Sequence, residues 1–371
     1  MTYNNYLFKG YDGQKAPFWG LGARGVLAYI LGVALVAFYI IIYFFPELLT
    51  NVISFFDPIS QFLKNKPADR WFMYGLLYTL AIIVMGIKMI RKHWNNNYQI
   101  FRTISVIFFQ VCFAFLLPEI LSRLNYPYQD LKNIWPLDYY FFFDYNIKAK
   151  LAAGTFGLFM LGWGIFLFVV GVPIMTYFFG KRWYCSWVCG CGGLAETAGD
   201  PFRQLSDKSL KAWKIERYSI HLVLIFAVFM TVLVLITYFT GQQKVFGFLD
   251  SGGVRSIYGF WIGGIFAGVV GTGFYPVMGN RVWCRFGCPL AAYLGLIQKY
   301  KSRFRITVNE DQCISCGNCS TYCEMGIDVR SYAQKNQDIV RSSCVGCGIC
   351  ADVCPRGVLN LENLPMITRK V

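Results

Sequence analysis

Fourteen cysteines stand in this 371-residue chain, and eight of them fall in two runs of one pattern. The first run is Cys313-x2-Cys316-x2-Cys319-x3-Cys323, and the second is Cys344-x2-Cys347-x2-Cys350-x3-Cys354 followed by Pro355. Thiolates are soft ligands suited to iron–sulfur chemistry, and short spacers let three of them from one loop wrap a cubane. Gly317, Gly346 and Gly348 allow backbone N–H groups to approach its sulfides. A pair of zinc sites would want two C-x-x-C pairs rather than two four-cysteine runs. In a reducing compartment, cysteines at this density are metal ligands or redox groups rather than disulfides.

The spacing is that of bacterial two-cluster ferredoxins, in which the fourth cysteine of each run ligates the cluster of the other. It predicts one [4Fe–4S] cluster on Cys313, Cys316, Cys319 and Cys354, and a second on Cys344, Cys347, Cys350 and Cys323. Cys323 is followed by Glu324, where the pattern has proline; the change removes no ligand and is expected to loosen the chain near the second cluster.

A second motif occurs twice. Gly180-Lys181-Arg182-Trp183-Tyr184-Cys185-Ser186-Trp187-Val188-Cys189 and Gly279-Asn280-Arg281-Val282-Trp283-Cys284-Arg285-Phe286-Gly287-Cys288 align without a gap, 99 residues apart. Cys185, Cys189, Cys284 and Cys288 are enough for a third cubane. Such a core with its four thiolates is anionic, so Arg182 and Arg281 are expected to sit near it and tune its potential. The competing reading has the arginines on lipid headgroups and the cysteines as packing residues; two copies in register weigh against it. After Cys189 the first copy continues Gly190-Cys191 where the second has Pro289, so Cys191 is an alternate ligand to Cys189. Cys112 reads as a packing cysteine.

Both copies follow long apolar segments. Six such segments, at 25–45, 71–90, 100–118, 151–179, 219–240 and 257–279, could each cross about 30 Å of hydrocarbon as a helix. The composition agrees: 56% hydrophobic, 15% charged, with a mean hydropathy of +0.43. The formal charge of +15 does not indicate nucleic acid, because the basic residues sit in short segments beside the apolar runs. Lys and Arg concentrate before the first segment, between the second and third, between the fourth and fifth, and after the sixth. The intervening connections balance them with acids. The alternation predicts both termini and every cluster on the cytoplasmic side of a bacterial inner membrane. The expected fold is all-α, with six transmembrane helices followed by a small α+β two-cluster ferredoxin domain. It divides as a cytoplasmic arm 1–24, a membrane domain 25–300 and a ferredoxin domain 301–371. The first helix is expected to be retained rather than cleaved as a signal peptide. Tyr139–Phe143 are expected to anchor at the membrane interface, and the glycines of the fourth and sixth segments to serve helix packing.

The last helix pairs, both C-x3-C motifs and the tail, roughly residues 150–360, together resemble membrane polyferredoxins of the NapH, NosR and CcoG type. The resemblance implies electron transfer with the quinone pool and with other redox subunits of a membrane complex. Its branches are implicated in quinol oxidation feeding nitrate reductase, electron supply to nitrous oxide reductase, and copper handling during oxidase assembly. The expected layout is one without an extracytoplasmic flavin domain or an extra C-terminal domain, and it looks closest to the nitrate-reductase type with two additional helices. The leading expectation is therefore a quinol-dehydrogenase-like relay through three clusters. The alternatives are a copper reductase or assembly factor, and a redox-responsive scaffold. Haem is not expected, since His93 and His221 are the only histidines; no nucleotide-binding motif is present.

Overall fold

The computed structural model describes residues 26–242, 244–245, 247–309 and 312–368. The arm 1–24 and the expectation attached to it lie outside these residues. Six helices are long and apolar enough to cross a membrane: Val26–Phe44, Arg70–Lys92, Asn97–Arg123, Gly154–Phe179, Leu210–Thr240 and Ser251–Gly273. The fifth starts nine residues before the expected 219, because Ser209 caps it by accepting a hydrogen bond from Ala212 N at 3.1 Å. Asp69 and Asn96 cap the second and third in the same way. The third and fourth widen into π-helical turns at Phe109–Leu116 and Leu167–Gly171. Pro118 and Pro173 follow these turns, and each removes an N–H that a regular helix would use.

The connections divide between two ends of the bundle. At one end lie residues 93–96, 180–209 and the chain after 273, which ends in a small ferredoxin-like region. Its strands Phe304–Val308 and Leu359–Asn363 pair antiparallel, with Ile306 opposite Leu361. This region is docked on the bundle: Tyr98 Oη donates to Gly346 O at 2.7 Å, and Asp352 accepts from Asn96 Nδ2 at 2.7 Å. His93 Nδ1 lies 2.7 Å from the other Asp352 oxygen.

At the opposite end, the connection between the third and fourth spans turns back into the bundle. Trp163 Nε1 donates to Leu131 O at 3.0 Å, and Trp135 Nε1 donates to Thr231 Oγ1 at 3.0 Å. Phe141 and Phe143 are buried, so this aromatic segment is core rather than the expected interface anchor, although Tyr140 stays exposed. Part of the glycine content exists to admit it. A Cβ at Gly164 would collide with the Phe141 ring, and one at Gly263 would lie 2.7 Å from the Tyr139 hydroxyl. Gly268 and Gly273 do serve helix packing, against Tyr39 and Val36 of the first span. A single hydrophobic core runs from Ile134 of this loop through Cys185, Cys189, Cys284 and Cys288 to Cys344 and Cys350.

Candidate metal centres

The two C-x3-C motifs fold alike. Gly180 and Gly279 both take a positive φ with extended ψ (65° and −177°, 89° and 170°), a conformation that a Cβ would strain. A short helix then carries Cys185 or Cys284. Cys189 N donates to Tyr184 O at 2.8 Å, and Cys288 N to Trp283 O at 2.9 Å. Cys189 and Cys288 each stand at the N-cap of the next helix, Gly190–Thr197 and Pro289–Lys301. The two motifs close on one cavity, lined by Cys185, Cys189, Cys191, Cys284 and Cys288 together with Tyr184, Trp283 and Leu137. Cys191 occupies the position of Leu290 in the other copy, and it alone of the five is exposed.

Burial pushes the Cys185 thiol up to about 12 and raises Cys284 and Cys288 as well, each reinforced by neighbouring sulfurs. Cys189 goes the other way, to about 6, because the Cys191 thiol hydrogen-bonds to it, with help from Gly192 N–H, Lys132 and Arg281. Four or five sulfurs enclosed this way want a cationic centre, and a cube of iron and sulfide bound through thiolates supplies one. The donor set therefore fits a [4Fe–4S] group, with Cys191 beside Cys189 as the spare sulfur.

The ferredoxin-like region repeats the same internal logic. Gly317 and Gly348, with φ of 82° and 80°, open the short helices Asn318–Thr321 and Ile349–Asp352. Cys313, Cys316, Cys319 and Cys354 surround one cavity, beside Arg330 and Arg356. Cys350 is raised by burial and by the adjacent sulfurs of Cys347, Cys344 and Cys323, which form the other group. Ile327 N donates to Cys323 Sγ and Val358 N to Cys354 Sγ, both at 3.4 Å. Among the described residues, no three His, Cys, Asp or Glu side chains are placed to hold a metal ion. The sulfurs of Cys313, Cys316, Cys319 and Cys354 line a cavity, a spread that suits a four-iron cube.

Between the membrane cavity and the Cys344 group lies a buried ionic network of which motif reading reached only Arg281. Arg281 Nη1 reaches Cys185 O at 3.2 Å and Cys284 Sγ at 3.7 Å. Its Nη2 pairs with Glu196 and, at 3.0 Å, with Glu324. Glu196 also holds Arg102 at 2.6 Å, and Arg102 donates to Cys347 O at 2.8 Å. Glu324 also holds Arg203 at 2.9 Å, and Arg203 Nη1 lies 3.9 Å from Cys347 Sγ. All five side chains are at most 3% exposed. Arg182 stands elsewhere: it covers the Phe304 ring at 4.4 Å and donates to Asn363 Oδ1 at 3.3 Å. Beyond Arg281, the Glu324 departure was the one sequence signal for the network. A charged residue at a proline position is easily read as surface, whereas this one is fully buried.

Comparison with known proteins accords with this geometry. A model of the 4Fe-4S dicluster domain matches residues 306–361, and a model of the 4Fe-4S binding domain matches 161–209 and again 259–307. The second model thus falls on both copies of the C-x3-C repeat. Escherichia coli (strain K12) "Putative electron transport protein YccM" is 28% identical over 171 residues, covering 42% of this chain and 44% of that protein. "Uncharacterized protein MJ0749" of Methanocaldococcus jannaschii is 22% identical over 163 residues, covering 43% of this chain and 57% of that protein. The chain thus spans about half the length of the curated relatives it matches. No solved structure matches. The domain matches and the electron-transport relative support iron–sulfur electron transfer by a chain with six candidate membrane helices.

Proposed function

We propose that this chain relays electrons between a quinone in the membrane and a redox partner through three [4Fe–4S] clusters. The ferredoxin-like end is cytoplasmic in this reading, supported by the basic connections gathered there. The two tail clusters are held by Cys313, Cys316, Cys319 and Cys354, and by Cys344, Cys347, Cys350 and Cys323. The third is held by Cys185, Cys189, Cys284 and Cys288. Bound clusters supply one-electron carriers; the chain supplies their order and their charge environment. The observation that carries the reading is the join between two sites. Ser186, next to Cys185, donates to Val345 O, next to Cys344, at 2.9 Å. The ligand-bearing segments of the membrane cavity and of the tail therefore touch, as a relay requires and independent sites do not.

The test is Cys284→Ser in anaerobically purified protein. Iron should fall from about twelve to about eight per chain, and one signal should disappear from the reduced paramagnetic spectrum while the tail signals stay. Quinol-analogue turnover should collapse with it. About eight irons in the unaltered protein would sink the three-cluster reading, and turnover that survives loss of the signal would take the third cluster off the path. One observation favours the copper-reductase alternative: Cys191 is exposed beside the cavity. Tight binding of copper(I), abolished by Cys191→Ser, would move the assignment there.

A further inference from the structure

The loop that enters the bundle from the face opposite the ferredoxin-like region also reaches the membrane cavity. Leu137 lines that cavity, and Ile134 packs in the core around it. Trp135 packs edge-on against Phe168 with centroids 4.5 Å apart. Phe168 lies roughly 20 Å along its helix from Gly154, at the far end of the fourth span. Irregular backbone at such depth is tolerated where it is buried in protein or lines a watery cavity, and ionisable groups there mark proton or ion pathways.

This loop carries such groups. Lys132 Nζ and Asp130 Oδ2 pair at 2.9 Å, both residues 8% exposed. Asp138 follows Leu137 directly. It is faced by Asp130 and Lys132 of its own loop and by Lys150 of the helix Asp144–Ala152, and burial pushes its carboxyl up to about 6. The phenols of Tyr128, Tyr139, Tyr140 and Tyr145 also lie in its field. Lys150 is 2% exposed, with its ammonium over the Phe141 ring at 3.9 Å. Beyond it, Asp144 and Arg255 pair at 2.9 Å with both side chains open to solvent. Ionisable groups thus continue from that face to the cavity wall.

An electron entering a buried cavity adds a negative charge that a low-dielectric interior penalises. Of the cations near the cavity, Lys132 is committed to Asp130 and Arg281 to Glu196 and Glu324, while Lys181 lies toward Cys185 and Cys344 on the ferredoxin-like side. We infer that Asp138 is a proton-exchange site coupled to the membrane cavity. When one electron arrives there from the tail clusters, Asp138 takes up one proton from water at the face opposite the ferredoxin-like region. It returns that proton when the electron leaves, so the charge of the buried region is unchanged over the cycle. The inference rests on the three-cluster reading.

The experiment is a redox titration of the full chain, following the membrane-cavity signal by paramagnetic resonance from mildly acidic to mildly alkaline pH. Protonated Asp138 favours the electron, so the potential should fall as pH rises above its value of about 6. Asp138→Asn should flatten that slope and Asp138→Glu should restore it, with the tail signals reporting that each variant is folded. In proteoliposomes, the pH on the face opposite the ferredoxin-like region should set the potential. A flat profile in the unaltered protein with all three signals present overturns the inference, and needs no variant. So does a slope that persists in Asp138→Asn, or one set from the ferredoxin-like side. Absence of the third signal removes the three-cluster reading itself, and the inference with it.

Discussion

Arg281 and Glu324 meet at 3.0 Å with both side chains fully buried. The arginine belongs to the second C-x3-C motif, and the glutamate stands where the ferredoxin pattern has proline. Each is the other's counter-charge across the junction between the helical bundle and the ferredoxin-like region. The proline position has thus been given to docking rather than to turn geometry.

Restoring the pattern with Glu324→Pro should therefore destabilise the junction. Removing one partner of a buried pair strands the other, at a cost of about 3–5 kcal/mol, and here Arg203 and Arg281 both lose a carboxylate. Protease sensitivity between the bundle and the tail should rise, and denaturant stability should fall. Burial alone would raise the Glu324 carboxyl, but Arg203 and Arg281 outweigh it and hold it at about 2. A depressed carboxylate stabilises above its unfolded value near 4.3 and loses that contribution as pH falls toward its folded value. The pair should therefore be insensitive to pH around neutrality. Unchanged protease sensitivity and denaturant stability in Glu324→Pro would refute the docking role.

Arg203→Gln should lower the potential of the cluster assigned to the Cys344 run. Its guanidinium lies 3.9 Å from Cys347 Sγ, and a cation beside a cluster sulfur favours the reduced, more negative state. Arg182→Gln should shift it less, because that guanidinium is stacked on Phe304. Redox titration of both variants compares them directly; a larger shift in Arg182→Gln would count against the assignment.

Cys189→Ser should abolish the membrane-cavity signal, and Cys191→Ser should leave it present with an altered line shape. Cys189 is buried at the helix N-cap and accepts the Cys191 hydrogen bond, whereas Cys191 is the exposed member of the pair. The reverse outcome would make Cys191 the ligand.

A reporter inserted at Gly247 should register as extracytoplasmic, and one fused after Val371 as cytoplasmic. Gly247 is exposed in the tight connection after the fifth span, whereas Asp130 is buried and would not tolerate an insertion. The same compartment for both reporters would break the alternation of the loops.

Much of the architecture was legible in the sequence because its causes are local. Apolar runs of sufficient length must satisfy their own backbone in a bilayer, so six helices follow from composition. Cysteine spacing determines which sulfurs one loop can offer; Cys354 lines a cavity with Cys313, Cys316 and Cys319, and Cys323 lies in the field of Cys350 together with Cys344 and Cys347. The repeat 99 residues apart likewise announced two copies of one turn, which both glycines then build. What the tertiary structure alone decided was long-range. Arg203 and Arg102 come from connections and helix ends with no motif, and they become neighbours of Cys347 only because the tail docks on the bundle. Arg182, equivalent to Arg281 in sequence, is carried to Phe304 because the pseudo-symmetric copies meet different surroundings. The segment Tyr139–Phe143 looked like an interfacial anchor because its aromatics suit that place equally well. Space left by Gly164 and Gly263 on two separate helices lets it turn inward, and no local pattern encodes a gap formed by two distant segments.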